Sequence, residues 1–193
     1  MNKIDFVSPT QPYTAYYCEE NLWWWCDGLT SKQRQSAWVL VVSNPEKTTA
    51  LALQRLGAGD AGILIWDYHV IGLYTGDNGD SYIVDFDTMM PSVVIEASWW
   101  LSVQEALAEQ VDSEHRARIR PIAAHDYHRE FSSTRRHMQS PDGSFIHPPP
   151  AWAPITSSES QLHELTSLLN VDAEEGWHPA SGILEHLKAK PSS

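Results

Sequence analysis

Two apolar segments joined by a short turn-forming sequence constrain the fold of this chain more than any other feature. Residues 62–75 and 81–88 are rich in β-branched and aromatic side chains, and residues 76–80 between them have the sequence GDNGD. Glycine, asparagine and aspartate tolerate the positive φ angles that a hairpin loop requires. The pattern therefore predicts an antiparallel β-hairpin.

The register of this hairpin predicts a contact between two titratable side chains. If the hairpin turns symmetrically about Asp77, His69 lies directly opposite Asp85. Opposed residues on one face of a sheet hold their Cβ atoms about 5 Å apart, which lets a carboxylate hydrogen-bond an imidazole. A slip of one residue would put the two side chains on opposite faces. Asp87 has the same strand parity as Asp85 and is the alternative partner of the histidine.

A cysteine at the start of a predicted helix supplies a nucleophile. Cys18 precedes two glutamates and the apolar residues 22–25, a pattern that predicts a helix over residues 19–29. The positive end of a helix dipole favours the thiolate form of such a cysteine. Cys18, His69 and Asp85 together provide the nucleophile, base and orienting carboxylate of a cysteine acyl-transfer enzyme. A lone buried cysteine is more often a small hydrophobic residue, so only the combination carries weight.

The rest of the chain predicts a single α+β domain over residues 1–193, with a mostly antiparallel sheet and helices packed around it. Residues 37–43 form a continuous apolar run typical of a buried strand. Residues 51–56 fit either a strand or a short helix. The other predicted elements are a helix over residues 93–110, a strand over 119–123, a short helix or turn over 130–137, and helices over 157–169 and 179–188.

The charge balance narrows the range of partners. Twenty-five acidic residues against thirteen basic ones give a formal net charge of −12. Nucleic acids and anionic membranes bind clusters of lysine and arginine, so neither is an expected partner. An acidic surface is compatible with a cationic substrate, although solubility alone is the more common reason for such a balance.

The sequence predicts a cytoplasmic protein, and we expect it to be a monomer. Its first residues lack the basic and apolar regions of a secretory signal, and no apolar stretch is long enough to span a bilayer. On one helix, Cys18 and Cys26 would be separated by about 12 Å of rise, too far for a disulfide. Free thiols are typical of a reducing compartment.

Zinc is an alternative reason for the nine histidines of the chain. The candidate ligands are His69, His125, His128 and His137. Only His125 and His128 are closely spaced, and no Cys-x-x-Cys pattern accompanies them. We therefore expect no metal and no other cofactor.

Five short motifs occur in an order that resembles a known family. They are Tyr17-Cys18-Glu19-Glu20-Asn21, Trp66-Asp67-Tyr68-His69-Val70, Asp85-Phe86-Asp87-Thr88, Arg136-His137-Met138 and Pro148-Pro149-Pro150. This set resembles the protein N-terminal glutamine amidohydrolases, which deamidate an exposed first-residue glutamine to glutamate. The likeness spans residues 15–177, and the second motif is its most specific part.

The resemblance implies a transglutaminase- or papain-like core with the catalytic residues Cys18, His69 and Asp85, the cysteine lying at a helix N-terminus. It also implies a γ-glutamyl thioester intermediate, release of ammonia, and no cofactor. In eukaryotes such an activity feeds a degradation pathway, since an N-terminal glutamate can be arginylated. No glutamine matches the oxyanion donor of papain, because Gln11 lies seven residues before the cysteine in a lead-in segment.

The implied partners are proteins or peptides with a free N-terminal glutamine, whose α-ammonium requires a carboxylate. Glu19, Glu20 and Asp67 are the candidates nearest to the catalytic residues in sequence. Three other functions stay open. The chain could be a cysteine-dependent deamidase, transglutaminase or protease acting on internal residues, an inactive module that binds protein N-termini, or a zinc hydrolase.

Overall fold

The computed structural model describes residues 5–156, 162–163 and 176–188 of the 193-residue chain. Its helices are α1 (Cys18–Gly28), α2 (Ser31–Gln35), α3 (Ala97–Ala108), α4 (Ala124–Glu130) and α5 (Ile183–Lys188). Its strands are β1 (Ala37–Ser43), β2 (Thr49–Leu51), β3 (Leu64–Trp66), β4 (His69–Thr75), β5 (Ser81–Val84), β6 (Val94–Glu96), β7 (Arg118–Ala123), β8 (Phe131–Ser132), β9 (Leu162–His163) and β10 (His178–Pro179). Short 3₁₀ helices span Ser113–His115 and Arg136–Met138.

Six strands form one antiparallel sheet in the order β10-β7-β1-β4-β5-β6. Central β1 has the bounds predicted from its uninterrupted apolar sequence, and β7 and α1 confirm the strand predicted over 119–123 and the helix predicted over 19–29. Two smaller pairs lie outside this sheet: β2 with β3, antiparallel, and β8 with β9, parallel. The α+β class with a mostly antiparallel sheet is confirmed.

The main sheet separates two hydrophobic cores because alternate residues of a strand point to opposite faces. Val39 and Val41 of β1 belong to the core that also contains side chains of α1 and α4. Leu40 and Val42 belong to the core that contains side chains of α3 and α5. Burying a large apolar side chain stabilises the fold by about 1.5–3 kcal/mol, so apolar residues on both faces of the sheet favour this layered arrangement.

Helix α1 lies directly on β4 because of a glycine. A Cβ atom at position 72 would lie 2.7 Å from Cζ3 of the Trp25 ring. Trp25 is fully buried, and its indole N–H donates to the carbonyl of Phe6 at 2.7 Å. Gly72 therefore sets how closely the helix that begins with Cys18 approaches the sheet.

The segment before α1 is fastened to that helix by side-chain amides. The buried Asn21 side chain bonds both the N–H and the carbonyl of Thr14, at 2.9 Å each. The amide of Gln11 donates to the Asn21 carbonyl at 3.3 Å. The lead-in is thus held in place, and the donor of Gln11 is engaged by the helix backbone.

Several predicted elements differ from the structure. Of the helix predicted over 93–110, residues 97–108 form α3, and residues 94–96 form strand β6 instead. The helix begins after Glu96 because the carboxylate of that residue caps it by accepting from the N–H groups of Ser98 and Trp99. The short helix or turn predicted over 130–137 is α4 followed by β8 and a 3₁₀ helix.

The other differences lie in the loops and at the C-terminal end. Residues 51–56, where the sequence was ambiguous, contain the last residue of β2 followed by bends and a turn. Of the helix predicted over 157–169, only residues 162–163 are described, and they form β9. Helix α5 begins at Ile183, four residues later than predicted.

No helix in the described ranges is both long and apolar enough to cross a bilayer.

Candidate active site

The candidate site lies where two neighbouring strands of the main sheet separate. β5 pairs with β4 only from Gly72 onward, because the chain leaves the sheet after Val84. Backbone groups at the start of β4 are therefore free to contact other atoms. The N–H of Val70 is directed at Sγ of Cys18, the first residue of α1. The separation of β4 from β5 thus leaves room for Cys18, the predicted nucleophile, beside the strand that carries His69, the predicted base.

His69 and Asp85 form a buried hydrogen-bonded pair. His69 Nε2 lies 2.9 Å from Asp85 Oδ1, and neither side chain is more than 1% exposed. The contact agrees with the prediction, but the predicted register is wrong: β4 and β5 pair about Asn78 instead of Asp77. Because side chains alternate with a period of two, this two-residue error keeps both side chains on one face, and Asp85 reaches the imidazole diagonally.

The Asp85 carboxylate is held by three donors. Besides His69, the Gln54 amide donates to Oδ2 at 3.0 Å and the N–H of Asp87 donates to Oδ1 at 3.0 Å. Burial opposes ionisation, but His69 and the other two donors hold the pKa of Asp85 below its usual value. Burial likewise opposes the charged form of His69, but Asp85 outweighs it and raises the pKa of the imidazole. The pair therefore favours carboxylate and imidazolium.

The bond to Asp85 assigns roles to the two ring nitrogens of His69. An ionised carboxylate only accepts hydrogen bonds, so Nε2 carries a proton in this pair. Nδ1 is buried and has no hydrogen-bond partner among the residues that the structure describes. Nδ1 is thus the nitrogen left to exchange a proton with a nucleophile.

The surroundings of the Cys18 thiol act against the thiolate that the helix start predicted. Burial raises the pKa of this thiol well above its usual value, and the carboxylates of Glu19 and Asp87 raise it further. The N–H of Val70 acts in the opposite direction but does not offset them. Burial and local negative charge therefore oppose the ionisation that a helix dipole favours.

Glu19 places a buried carboxylate beside the thiol. Its Oε2 atom accepts from the Tyr68 hydroxyl at 3.2 Å and from Cys18 Sγ at 3.6 Å. Its Oε1 atom is buried without a hydrogen-bond partner in the described residues, and His137 Nε2 lies 3.5 Å from it. An unpaired buried carboxylate oxygen is costly, which makes it a candidate ligand for a cation.

The other two predicted ammonium ligands have different surroundings. Both oxygens of Glu20 are engaged, by a bidentate contact with Arg135 at 2.7 and 2.8 Å and by the Trp152 indole at 2.6 Å. Asp67 is exposed, and its carboxylate accepts from the N–H of Tyr68 at 2.9 Å. Glu19 alone of the three combines burial, contact with Cys18 and an unpaired oxygen.

Asp87 is a second buried carboxylate near the thiol and the imidazole. Its Oδ1 atom accepts from the Tyr13 hydroxyl at 2.7 Å, and Arg55 lies over the Tyr13 ring at 5.4 Å. Burial raises the pKa of Asp87. Asp85, and not Asp87, is the residue hydrogen-bonded to His69 Nε2.

Two side chains beside His69 were not predicted. The Trp66 ring stacks on the imidazole with centroids 4.8 Å apart and planes 9° apart. The Trp66 indole donates to Oε1 of Gln54 at 3.1 Å. Trp66 belongs to the most specific sequence motif, and its position near His69 could have suggested a contact. Gln54 lies in a loop without periodicity, so no local pattern pointed to it.

A later part of the chain reaches the start of α1. The Tyr16 and His147 rings stack at 3.6 Å, and the Tyr17 hydroxyl donates to the His147 carbonyl at 3.2 Å. Tyr16 has a φ of +70°, a conformation that costs about 1–3 kcal/mol in a non-glycine residue. The proline motif, residues 148–150, directly follows this contact.

The four histidines considered as zinc ligands are dispersed. His128 contacts Asp27 and Arg34, His125 lies near Asp126, and His137 lies near Tyr68 and Glu19. In the described part of the chain, His69, Asp85 and Asp87 are the one group with ligand atoms spaced for a metal ion. Both oxygens of Asp85 in that group already accept hydrogen bonds.

A buried cysteine, histidine and aspartate in this arrangement are typical of cysteine-dependent acyl-transfer enzymes. Residues 13–189 match the profile of the family described as N-terminal glutamine amidase. The chain therefore belongs to the N-terminal glutamine amidase family.

Relatives from animals support this assignment. The protein N-terminal glutamine amidohydrolase of Bos taurus is 31% identical over 180 residues, which cover 91% of this chain and 84% of the relative. Those of Drosophila ananassae and Drosophila pseudoobscura pseudoobscura are 35% and 34% identical over 169 residues, covering 85% of this chain and 80% of each relative.

Proposed function

We propose that this protein is a cysteine-dependent hydrolase that converts the N-terminal glutamine of peptides and proteins to glutamate and releases ammonia. Membership in the amidase family supports the reaction. The observation that carries the mechanism is the 2.9 Å hydrogen bond between His69 and Asp85. His69 directly precedes Val70, whose N–H is directed at Cys18.

In the first half of the reaction, His69 acts in its neutral form: Nδ1 takes the proton of the Cys18 thiol, and Sγ attacks Cδ of the glutamine side chain. Backbone N–H groups at the start of α1 have no partners within the helix and stabilise the oxyanion. The imidazolium then protonates the departing nitrogen, the C–N bond breaks, and ammonia leaves. A γ-glutamyl thioester remains on the cysteine.

In the second half, His69 takes a proton from water, which attacks the thioester carbonyl. The C–S bond breaks, His69 returns its proton to the sulfur, and the peptide leaves with an N-terminal glutamate. Asp85 holds the imidazole in one tautomer and stabilises its charged form in both halves. The nucleophile at the start of a helix packed on a sheet that carries the histidine is the arrangement we assign to a transglutaminase- or papain-like core.

Glu19 binds the α-ammonium group of the substrate in this proposal. Its unpaired Oε1 atom is buried beside the thiol, and Glu20 is neutralised by Arg135. The arriving ammonium contacts the oxygen that His137 approaches at 3.5 Å. Neutralising Glu19 removes one of the charges that hold the thiol in its neutral form, so binding of the correct terminus also promotes proton transfer from Cys18.

The ammonium contact fixes the distance from the substrate backbone to Sγ. An N-terminal asparagine is one methylene shorter, which is worth about 1–3 kcal/mol in a pocket, and its carbonyl also stops short of the sulfur. An acetylated terminus carries no charge and fails at the first contact.

We also propose that residues 1–193 form one catalytic domain that acts as a monomer in the cytoplasm and uses no metal or other cofactor.

The experiment that tests this function uses three peptides that differ only at the first residue: free glutamine, Nα-acetylglutamine and free asparagine. Ammonia release and mass change are measured with wild-type protein, Cys18→Ala and the matched control Cys26→Ala. Cys26 is a second buried cysteine on the same helix. We expect turnover of the free glutamine peptide only, lost by about 10⁴-fold or more in Cys18→Ala and kept in Cys26→Ala.

Each other outcome selects a different function. Turnover of the acetylated peptide would make the protein a broader glutamine-directed enzyme. Full activity of Cys18→Ala would exclude the cysteine mechanism. Binding of the free glutamine peptide without turnover would make the protein a module that recognises N-termini. Acid quenching of the wild-type reaction, followed by mass spectrometry, tests for the thioester on Cys18.

A further inference from the structure

We propose that Gln54 and Trp66 are positioning residues that fix the tautomer and ring orientation of His69 through a closed ring of contacts. His69 bonds Asp85 at 2.9 Å, Asp85 bonds Gln54 at 3.0 Å, and Gln54 bonds the Trp66 indole at 3.1 Å. The Trp66 ring closes the circuit by stacking on the imidazole at 4.8 Å. This inference rests on the roles proposed for His69 and Asp85.

The direction of every bond in this ring follows from the indole. A tryptophan N–H is a donor only, so it fixes the carbonyl oxygen of the Gln54 amide toward Trp66. The amide nitrogen must then face Asp85, and it also lies 3.3 Å from the carbonyl of Ala52. The reverse orientation would place the amide oxygen against a carboxylate and a carbonyl, and would set two donors against each other.

The fixed amide determines where the proton of the imidazole lies. Gln54 supplies Oδ2 of Asp85 with a donor, which favours the ionised carboxylate. That carboxylate then accepts from Nε2 of His69, and the lone pair of the neutral imidazole is confined to Nδ1. Through Gln54 and Asp85, the Trp66 indole thus leaves Nδ1 of His69 as the nitrogen that deprotonates Cys18.

Stacking adds an orientation that hydrogen bonds alone do not give. A single bond at Nε2 leaves the imidazole free to tilt about that contact, whereas a parallel ring 9° from its plane restrains the tilt. An aromatic face also stabilises a cation, so it favours the imidazolium that forms during the reaction.

The backbone holds Gln54 in place by a close approach. Its N–H donates to the carbonyl of Gly62 at 2.8 Å, and a Cβ at position 62 would lie 2.8 Å from the Gln54 carbonyl oxygen. Leu53, the preceding residue, has a φ of +68°. A strained backbone beside a fully buried glutamine is the expected mark of a positioning element.

The test uses Gln54→Leu and Trp66→Phe, with Gln104→Leu as the matched control. Gln104 is also buried and also bonds the backbone of Ala52, but neither of these hydrogen bonds involves Asp85, His69 or Trp66. Two quantities are measured: the ¹⁵N shifts of the His69 ring at alkaline pH, assigned with His69→Gln, and the pH profile of kcat. Thermal unfolding confirms that each variant is folded.

We expect wild-type protein and Gln104→Leu to hold neutral His69 as the Nε2–H tautomer. In Gln54→Leu, both tautomers are populated, kcat falls about 10- to 100-fold with little change in KM, and the pH profile shifts. Trp66→Phe keeps the stacking but frees the Gln54 amide, so its shifts lie between those of wild type and Gln54→Leu.

An unchanged tautomer and pH profile in Gln54→Leu would overturn the proposal. Equal changes in Gln104→Leu would also overturn it, since they would show a general loss of packing. The ¹⁵N measurement needs no substrate. If the wild-type protein released no ammonia, the proposed function would fail, whereas the closed ring of contacts around His69 could still be tested.

Discussion

The two adjacent glutamates that follow Cys18 have opposite surroundings. Glu20 is neutralised by Arg135, whereas Glu19 keeps one oxygen unpaired beside Cys18. Adjacent residues of a helix point about 100° apart, so neighbours in sequence can serve a substrate and a scaffold separately. Sequence position alone made both candidates for the same role.

Glu19→Gln should weaken recognition of the free N-terminus. The substitution keeps the shape of the side chain but replaces a charge-assisted hydrogen bond, worth about 1.5–3 kcal/mol, so kcat/KM should fall about 10- to 100-fold, chiefly through KM. The pKa of Cys18, measured from the pH dependence of iodoacetamide labelling, should move down because Glu19 raises it. An unchanged KM would remove Glu19 from the ammonium site.

Glu20→Gln is the isosteric partner of that variant and should act on stability. Removing one member of a buried ion pair leaves the Arg135 charge uncompensated and costs about 3–5 kcal/mol. The Arg135 side chain is only 6% exposed, so water does not replace the lost partner. Denaturant unfolding measures this loss. Unchanged unfolding with a raised KM for the free glutamine peptide would exchange the roles of the two glutamates.

At the scale of elements, the packing of α1 on β4 positions Cys18, the proposed nucleophile. Gly72→Ala would push a methyl group into the Trp25 ring, which lies 2.7 Å from the new Cβ. Overpacking of this kind costs about 1–3 kcal/mol, and moving α1 outward should also lower kcat by displacing Cys18 from His69. Thermal unfolding and kcat measure the two effects.

Gly28→Ala is the control for that variant because it also adds a methyl group, but at the last residue of α1 instead of in β4 beneath it. No atom lies within 4 Å of the new Cβ, so we expect wild-type kcat and an equal or slightly raised melting temperature. A loss of kcat in both variants would mean that the glycine at position 72 has no special role in seating α1.

The sequence predicted the elements that have a strong period or composition. β1, β7 and α1 were predicted because apolar residues dominate their patterns. The His69–Asp85 contact was predicted because the turn-forming residues 76–80 indicated a hairpin. The register was wrong by two residues, since GDNGD does not by itself fix the centre of the turn. The contact survived because an error of two preserves the face of the sheet.

The surroundings of the site could not be predicted in the same way. Gln54 reaches Asp85 across 31 positions of sequence, from a loop that has no repeating pattern. The raised pKa of the Cys18 thiol depends on burial and on two carboxylates, one of which, Asp87, is distant in sequence. Such properties arise from long-range packing, which a helix-start pattern does not report.

For the whole molecule, the buried His69–Asp85 pair makes stability depend on pH. The pKa of Asp85 is lowered, so its contribution is present above the unfolded value of about 3.9 and is lost as pH falls through the folded value. The pKa of His69 is raised, so its contribution is complete below about 6.5 and is lost as pH rises through the folded value. The pair stabilises the fold most between about pH 4 and pH 6.5.

Asp85→Asn should expose this window. We expect the difference in unfolding free energy between wild type and Asp85→Asn to be largest between about pH 4 and pH 6.5, and to shrink on both sides as one partner loses its charge. Urea unfolding across this pH range measures the difference. A difference that does not vary with pH would mean that the pair is not an ion pair in the folded state.

Burial of the Cys18 thiol also determines how the protein meets oxidants. Peroxides oxidise thiolate to sulfenic acid and then to irreversible products, while neutral thiols react slowly. The raised pKa of Cys18 disfavours its reactive thiolate form between turnovers. If the ammonium of the substrate itself promotes ionisation, the sulfur becomes reactive only while a substrate covers it. Glu19, the carboxylate proposed to select the substrate, then also helps to protect the catalyst from oxidative loss.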